Sequence, residues 1–174
     1  MNIIINIKNK KALKMLEHLR DKLVSNTDIK FENVHIKKIN DCMRKNIFSK
    51  NDVYISSVTL WEIMKPEGSS GSHNYHGLKP EDILGALNEL TNPLCVLKAK
   101  NERFLIVPVY ISSFGKPLIV VLEKGAGLIT NKNANINKIV TIYPKSDLDK
   151  MIKKAEENNV LYKKMSTNTG LQLP

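Results

Sequence analysis

Apolar residues at Ala12, Met15, Leu16, Leu19 and Leu23 recur every three or four positions. That spacing lines one face of a helix over residues 10–24. Residues 25–51 are polar and mixed, with a second helix expected near Ile36–Ile47. From Asp52 the pattern sharpens. Val53-Tyr54-Ile55 reads as a short strand. Thr59 and Glu62 have capping-box spacing, and Leu60, Trp61, Ile63 and Met64 begin a helix. Pro66 and the run Gly68–Ser72 break it. Pro80 opens the next helix, with Glu81 and Asp82 at the positive end of its dipole. Ile83, Leu84, Leu87 and Leu90 form its apolar face, and Asn92-Pro93 stops it.

A β-meander comes next. Strands are expected at about 94–98, 103–111 and 117–122, with Ser113-Phe114-Gly115-Lys116 as the last turn. An Asn- and Gly-rich loop covers 125–137. A strand at 139–143, a helix at 147–158 and a strand at 160–163 complete the chain. Helices first and antiparallel strands after give an α+β fold. Residues 1–51 read as a basic helical accessory segment and residues 52–174 as the main domain. Within Ile139–Tyr143, strict alternation puts Ile139, Thr141 and Tyr143 on one face and Val140 and Ile142 on the other. The second face is expected to be the buried one.

Charge narrows the partners. The chain carries 27 Lys and Arg against 17 Asp and Glu, a net of +10. Residues 1–50 hold 12 against 5, so the excess is concentrated at the start. Such a field draws polyanions, nucleic acid foremost; a lysine-rich soluble surface is the plainer alternative. Cys42 and Cys95 stand far apart, with no disulfide framework and no CxxC pair. Cys95, in an apolar strand, is expected to be a buried free thiol. No apolar run reaches the roughly 18–20 residues of a membrane span, so no membrane partner is expected.

Few residues carry obvious chemistry. His18 falls on the first helix and His35 in an uninformative segment. His73 and His76 stand between the Gly/Ser loop and a helix start, where an imidazole can exchange a proton near neutral pH. A polar loop with idle histidines is the competing explanation. HxxH alone is no zinc site, and no metal ligand set or cofactor motif is present. Glu81-Asp82 is better explained as helix-start charge than as an acid/base pair. Arg103 opens an apolar strand near Lys98 and Lys100, as a phosphate clamp or as a solvated strand end. Trp61 reads as core.

Four pieces in order carry a resemblance. They are Val53–Leu60; His76-Gly77-Leu78 leading through Glu81-Asp82-Ile83 to Leu90–Pro93; the apolar strands around Val107 and Val120; and Asn137–Lys145 followed by Val160-Leu161-Tyr162 and Leu171–Pro174. Together they resemble the C-terminal toxin-like domains of phage MuF-type and large polyvalent proteins. Those domains are grouped with the barnase–EndoU–colicin–RelE superfold of metal-independent ribonucleases. The resemblance covers about residues 52–174. Residues 66–75 look like an insertion, and Thr141 stands where serine is commoner.

The resemblance implies N-terminal helices packed on a four-stranded antiparallel sheet, here with an extra N-terminal helical segment. It implies an endoribonuclease toxin domain acting on RNA, with tRNA as one target class, and using no cofactor. His76, Thr141 and Lys145 are then the catalytic candidates. Arg103, Tyr143, His73 and Gln172 are the substrate-binding ones. A cognate immunity or antitoxin protein is the implied partner. The site of action is the cytoplasm, or a target cell reached as part of a larger phage or secreted protein. A catalytically inactive nucleic-acid-binding or protein-interaction domain is the alternative.

Overall fold

The computed structural model describes residues 10–25, 32–38, 52–66, 75–128, 131–156 and 160–163. In chain order the elements are α1 (Lys10–Ser25), β1 (Asn33–Lys38), β2 (Asp52–Ser56), α2 (Ser57–Met64) and α3 (Pro80–Asn88). A short 3-10 turn, Glu89–Thr91, precedes β3 (Cys95–Lys98), β4 (Arg103–Val107), β5 (Leu118–Leu128) and β6 (Asn131–Pro144). The elements end with α4 (Leu148–Glu156) and β7 (Val160–Lys163). The class is α+β.

All the described strands join one seven-stranded sheet in the order β1-β2-β6-β5-β4-β3-β7. Consecutive strands β3 to β6 form an antiparallel meander at its centre. The sheet is mixed because β2 runs parallel to β6, pairing Val53, Tyr54 and Ile55 with Asn137, Lys138 and Ile139. The expected four antiparallel strands are therefore extended to seven. β1 and β2 add to one side and β7 to the other, since an open sheet edge takes any strand that can satisfy its backbone groups.

Alternation along the strands separates two apolar layers. On one face α1, α2 and α3 bury Leu16, Leu19, Leu60, Ile63, Ile83 and Leu87 against the sheet. Val34, Val53, Ile55, Val120, Ile139 and Ile142 meet them from below. Fully burying each such side chain contributes about 1.5–3 kcal/mol. Helix α1 and strand β1, both before residue 52, thus share one core with α2, α3 and the central strands. On the other face α4 lays Leu148, Met151 and Ile152 over Cys95, Leu97 and Val107. Cys95 is buried, as its strand pattern suggested.

Three local expectations change. Helix α2 starts earlier than Thr59, because Ser56 caps it: its Oγ accepts the Thr59 amide at 3.1 Å and contacts the Thr59 hydroxyl at 2.8 Å. Ile36, assigned to a helix, lies in β1, and residues 39–47 of that expected helix fall outside the described residues. The loop expected over 125–137 is mostly a long β5–β6 hairpin. Cross-strand hydrogen bonds there override the low strand preference of Asn and Gly. Elsewhere Pro80 does sit in the first turn of α3, with Glu81 and Asp82 beside it.

The segment between β4 and β5 is tied to α3. Tyr110 packs so closely on Gly85 that a Cβ there would overlap the ring. Replacing a helical glycine by alanine ordinarily stabilises by about 1 kcal/mol. Here the sign should reverse: Gly85→Ala forces Tyr110 off the helix and should cost about 1–3 kcal/mol. Chemical denaturation of the two proteins measures it, and a gain in stability for the alanine variant would contradict this packing.

Candidate functional site

Strand β6 fixes where its side chains point. Val121 pairs with Thr141 but Leu122 pairs with Ile139, so Val140 is an extra residue on β6. Such a bulge shifts the alternation by one position. Ile139 and Ile142 consequently both enter the helical core. Thr141 and Tyr143, opposite Val121 and Ile119, take the other face. Strict alternation had grouped Ile139 with Thr141 and Tyr143, and the bulge corrects that.

His76 arrives from the opposite end of the domain's sequence. Its neighbours are pinned to the end of α2: the Gly77 amide donates to the Lys65 carbonyl at 2.6 Å and the Leu78 amide to the Ile63 carbonyl at 3.1 Å. Gly77 has φ of 61°, a left-handed conformation that glycine adopts without a steric cost. Leu78 then anchors in the core at 1% exposure. The pairing of β2 with β6 ends at Ile139, and the chain turns there into α2. Beyond that point His76 approaches β6. Its Nε2 lies 3.3 Å from the Thr141 Oγ1, and its ring centroid 5.8 Å from that of Tyr143 at a 44° tilt.

All three side chains are half-buried. With the imidazole proton on Nδ1, the Thr141 hydroxyl donates to Nε2; with Nε2 protonated, the hydroxyl oxygen accepts. The arrangement can exchange a proton with a group entering from solvent, with Thr141 setting the imidazole's orientation. Burial pushes the Tyr143 phenol above its ordinary pKa, so it stays neutral and can donate.

The other predicted residues divide. Lys145 follows directly on β6, and its amide donates to the Pro117 carbonyl at 2.8 Å, which fixes its backbone at the same strand end as Tyr143. Arg103 does not join the group. It lies on β4, two strands from β6, and its Nε donates to Glu123 across β4–β5 at 3.0 Å in an exposed ion pair. Its guanidinium is paired with a carboxylate at the sheet surface, away from His76 and Thr141. His73 and Gln172 lie outside the described residues.

Two groups escaped the sequence reading. Lys65 stands over the Trp61 ring at 3.2 Å from its centroid, and its Nζ donates to the Tyr75 hydroxyl at 3.3 Å. This puts a cation next to the segment that carries His76. The signal was present as Trp61 and Lys65 four apart on a helix. Asp82, assigned to helix-start charge alone, is fully buried. It accepts from the Ser113 amide at 2.6 Å, the Ser113 hydroxyl at 2.8 Å and the Tyr110 hydroxyl at 3.3 Å. Nothing local in the sequence links positions 82 and 113. A cavity of about 630 Å³ between α1 and the β1–β2 hairpin, lined by His18, His35 and Tyr54, is separate from these groups.

The two half-buried phenols make a pH prediction. Burial raises Tyr143, while burial followed by the Asp82 charge raises Tyr110, both above the usual 10.0. Stability from each is complete below that pH and is lost as pH rises through the raised folded value. Tyr143→Phe should flatten part of this alkaline limb, and Tyr110→Phe another part. Denaturant melts at several pH values above neutrality measure it; an unchanged limb in both variants would contradict the assigned burial.

Among the described residues, no helix is long and apolar enough to cross a membrane. No curated protein and no solved structure matches the chain. The family model of the phage MuF C-terminal domain does match, over residues 69–167. That span contains α3, the whole β3–β6 meander, and the residues His76, Thr141, Tyr143 and Lys145. With more than half of its length inside the match, this chain belongs to the phage MuF C-terminal domain family.

Proposed function

We propose that this chain is a metal-independent endoribonuclease toxin domain with the barnase–EndoU–colicin–RelE superfold. One observation carries the activity: His76 Nε2 and Thr141 Oγ1 stand 3.3 Å apart at β6, just past its pairing with β2, with Tyr143 against the imidazole. The superfold reading is supported by the order of elements, two helices followed by four antiparallel strands. The net charge of +10 favours a polyanionic substrate.

RNA supplies its own nucleophile in the 2′-OH. Neutral His76 removes that proton, and the 2′ oxygen attacks the adjacent phosphorus. The 5′ oxygen leaves with a proton from water, giving a 2′,3′-cyclic phosphate and a 5′-OH end. Thr141 orients the imidazole through Nε2 or hands a hydrogen bond to a phosphoryl oxygen. Lys145, just past the strand, supplies positive charge for the pentacoordinate phosphorus. Tyr143 remains protonated and positions the substrate or stacks on a base. Such a domain would act in a cytoplasm, tRNA being one substrate class, and would need a cognate inhibitor protein in the cell that makes it.

The purified chain should therefore cut total RNA in EDTA and leave cyclic phosphate ends that sequencing can map. His76→Ala should lower the rate by about 10²–10⁴-fold with the fold intact. Thr141→Ser should retain more activity than Thr141→Val, because it keeps the hydroxyl. Cleavage that chelator abolishes and a divalent ion restores would overturn the mechanism. RNA binding without any new ends would favour an inactive nucleic-acid-binding domain.

A further inference from the structure

Among the described residues, five large hydrophobic side chains are exposed, and four of them occupy one end of the sheet. Val109, Ile111 and Phe114 are each 51% exposed and lie within the β4–β5 connection. Leu94, at 38%, joins them from the start of β3, its amide donating to the Val107 carbonyl at 2.7 Å. A loop that needed only to connect two strands would place polar residues there.

The connection is held rigidly, so its apolar residues have no easy way inward. Tyr110 and Ser112 alternate with Val109 and Ile111 and take the inner positions. Tyr110 reaches Asp82 on α3, and the Ser113 amide and hydroxyl bind the same buried carboxylate at 2.6 and 2.8 Å. The Ser112 hydroxyl donates to the Lys116 carbonyl at 2.7 Å, and Ile111 bridges Pro117. The buried Asp82, with three donors, fixes the outer side chains in a protruding turn.

Charge at this end is mostly positive. Lys116 is in the turn itself, Lys79 caps the helix that holds Asp82, and Lys145 is bonded through its amide to Pro117. Of the nearby carboxylates, Asp82 is buried and engaged, Glu81 is exposed, and Asp147, two residues past Lys145, is exposed with Lys150 at 3.8 Å. We propose that this end of the sheet docks peripherally on an anionic lipid surface. Val109, Ile111 and Phe114 enter the headgroup boundary, and the lysines face lipid phosphates.

A protruding turn with three apolar tips is small beside the roughly 800 Å² per partner of a stable protein interface. It is suited to interfacial insertion, where apolar area and basic charge act together. Peripheral docking needs no spanning helix, and span length was the only ground for expecting no membrane contact. Lys145 is shared with the proposed ribonuclease site, but Lys79, Lys116 and the three apolar side chains are not, and the test does not involve RNA.

The full chain would be sedimented with phosphatidylcholine vesicles and with vesicles containing roughly one third phosphatidylglycerol. Binding to the anionic vesicles should be at least about tenfold tighter and should weaken as salt is raised. The combined substitution Val109→Ser, Ile111→Ser and Phe114→Ser should lower it by about tenfold or more, since all three side chains leave the lipid. Circular dichroism checks that the variant folds. Phe114→Trp provides an independent readout, because its fluorescence should shift to the blue on anionic vesicles relative to the wild type, whose one tryptophan is Trp61. No sedimentation with anionic vesicles would overturn the proposal. So would equal binding by the folded triple variant, which would leave charge as the only cause. A dimer in solution that the triple variant abolishes would assign the patch to protein contact instead.

Discussion

The pairing of β5 with β6 is the constraint on which the rest of the structure depends. These are the longest strands, and they sit at the centre of the sheet, with β2 added outside β6 and β4 outside β5. Their inner residues, Leu118, Val120, Leu122, Ile139 and Ile142, form the floor on which α1, α2 and α3 rest. The extra residue at Val140 matters more than its size suggests. It lets Ile139 and Ile142 reach the same core while Thr141 and Tyr143 turn the other way. Without it, burying Ile142 would have forced Ile139 out of the core.

The same arrangement creates a place for His76. β2 covers the flank of β6 only as far as Ile139, because Ser56 ends the strand by capping α2. The segment after α2 is then tied back to the helix through Lys65 and Ile63. It delivers His76 to the uncovered part of β6 at Thr141. A helix cap, a strand bulge and a left-handed glycine therefore act in sequence to set one distance. Each stabilises the fold, and together they make the imidazole–hydroxyl geometry that the proposed chemistry uses.

At the far side of α3 a second polar anchor does a different job. Asp82 is buried, and burying a carboxylate is costly unless donors surround it. Ser113 and Tyr110 supply those donors from the β4–β5 connection, while Gly85 gives the Tyr110 ring its space. The consequence is a rigid connection whose outward residues are apolar. Helix-to-loop anchoring and surface exposure are thus two results of one buried charge.

Much was legible from local patterns. Periodicity marked α1, Pro80 marked the start of α3, and short apolar runs marked β3, β4 and β7. The resemblance singled out His76, Thr141 and Tyr143, which meet in space although 65 residues separate the first two. Lys65 and Trp61 were legible only as an i, i+4 pair, without a reason to connect them to Tyr75. The seven-stranded, mixed sheet was not legible, because strand partners are chosen by burial and by free sheet edges rather than by composition. That Arg103 lies two strands from β6, opposite Glu123, could not be read from its place in the chain. The sequence by itself determined the amphipathic helices and the short apolar strands, the excess of positive charge and the few residues able to move a proton. Tertiary structure decided which of them meet. A one-residue bulge, a parallel strand that stops early and a buried carboxylate are long-range features, and no spacing along the chain encodes them.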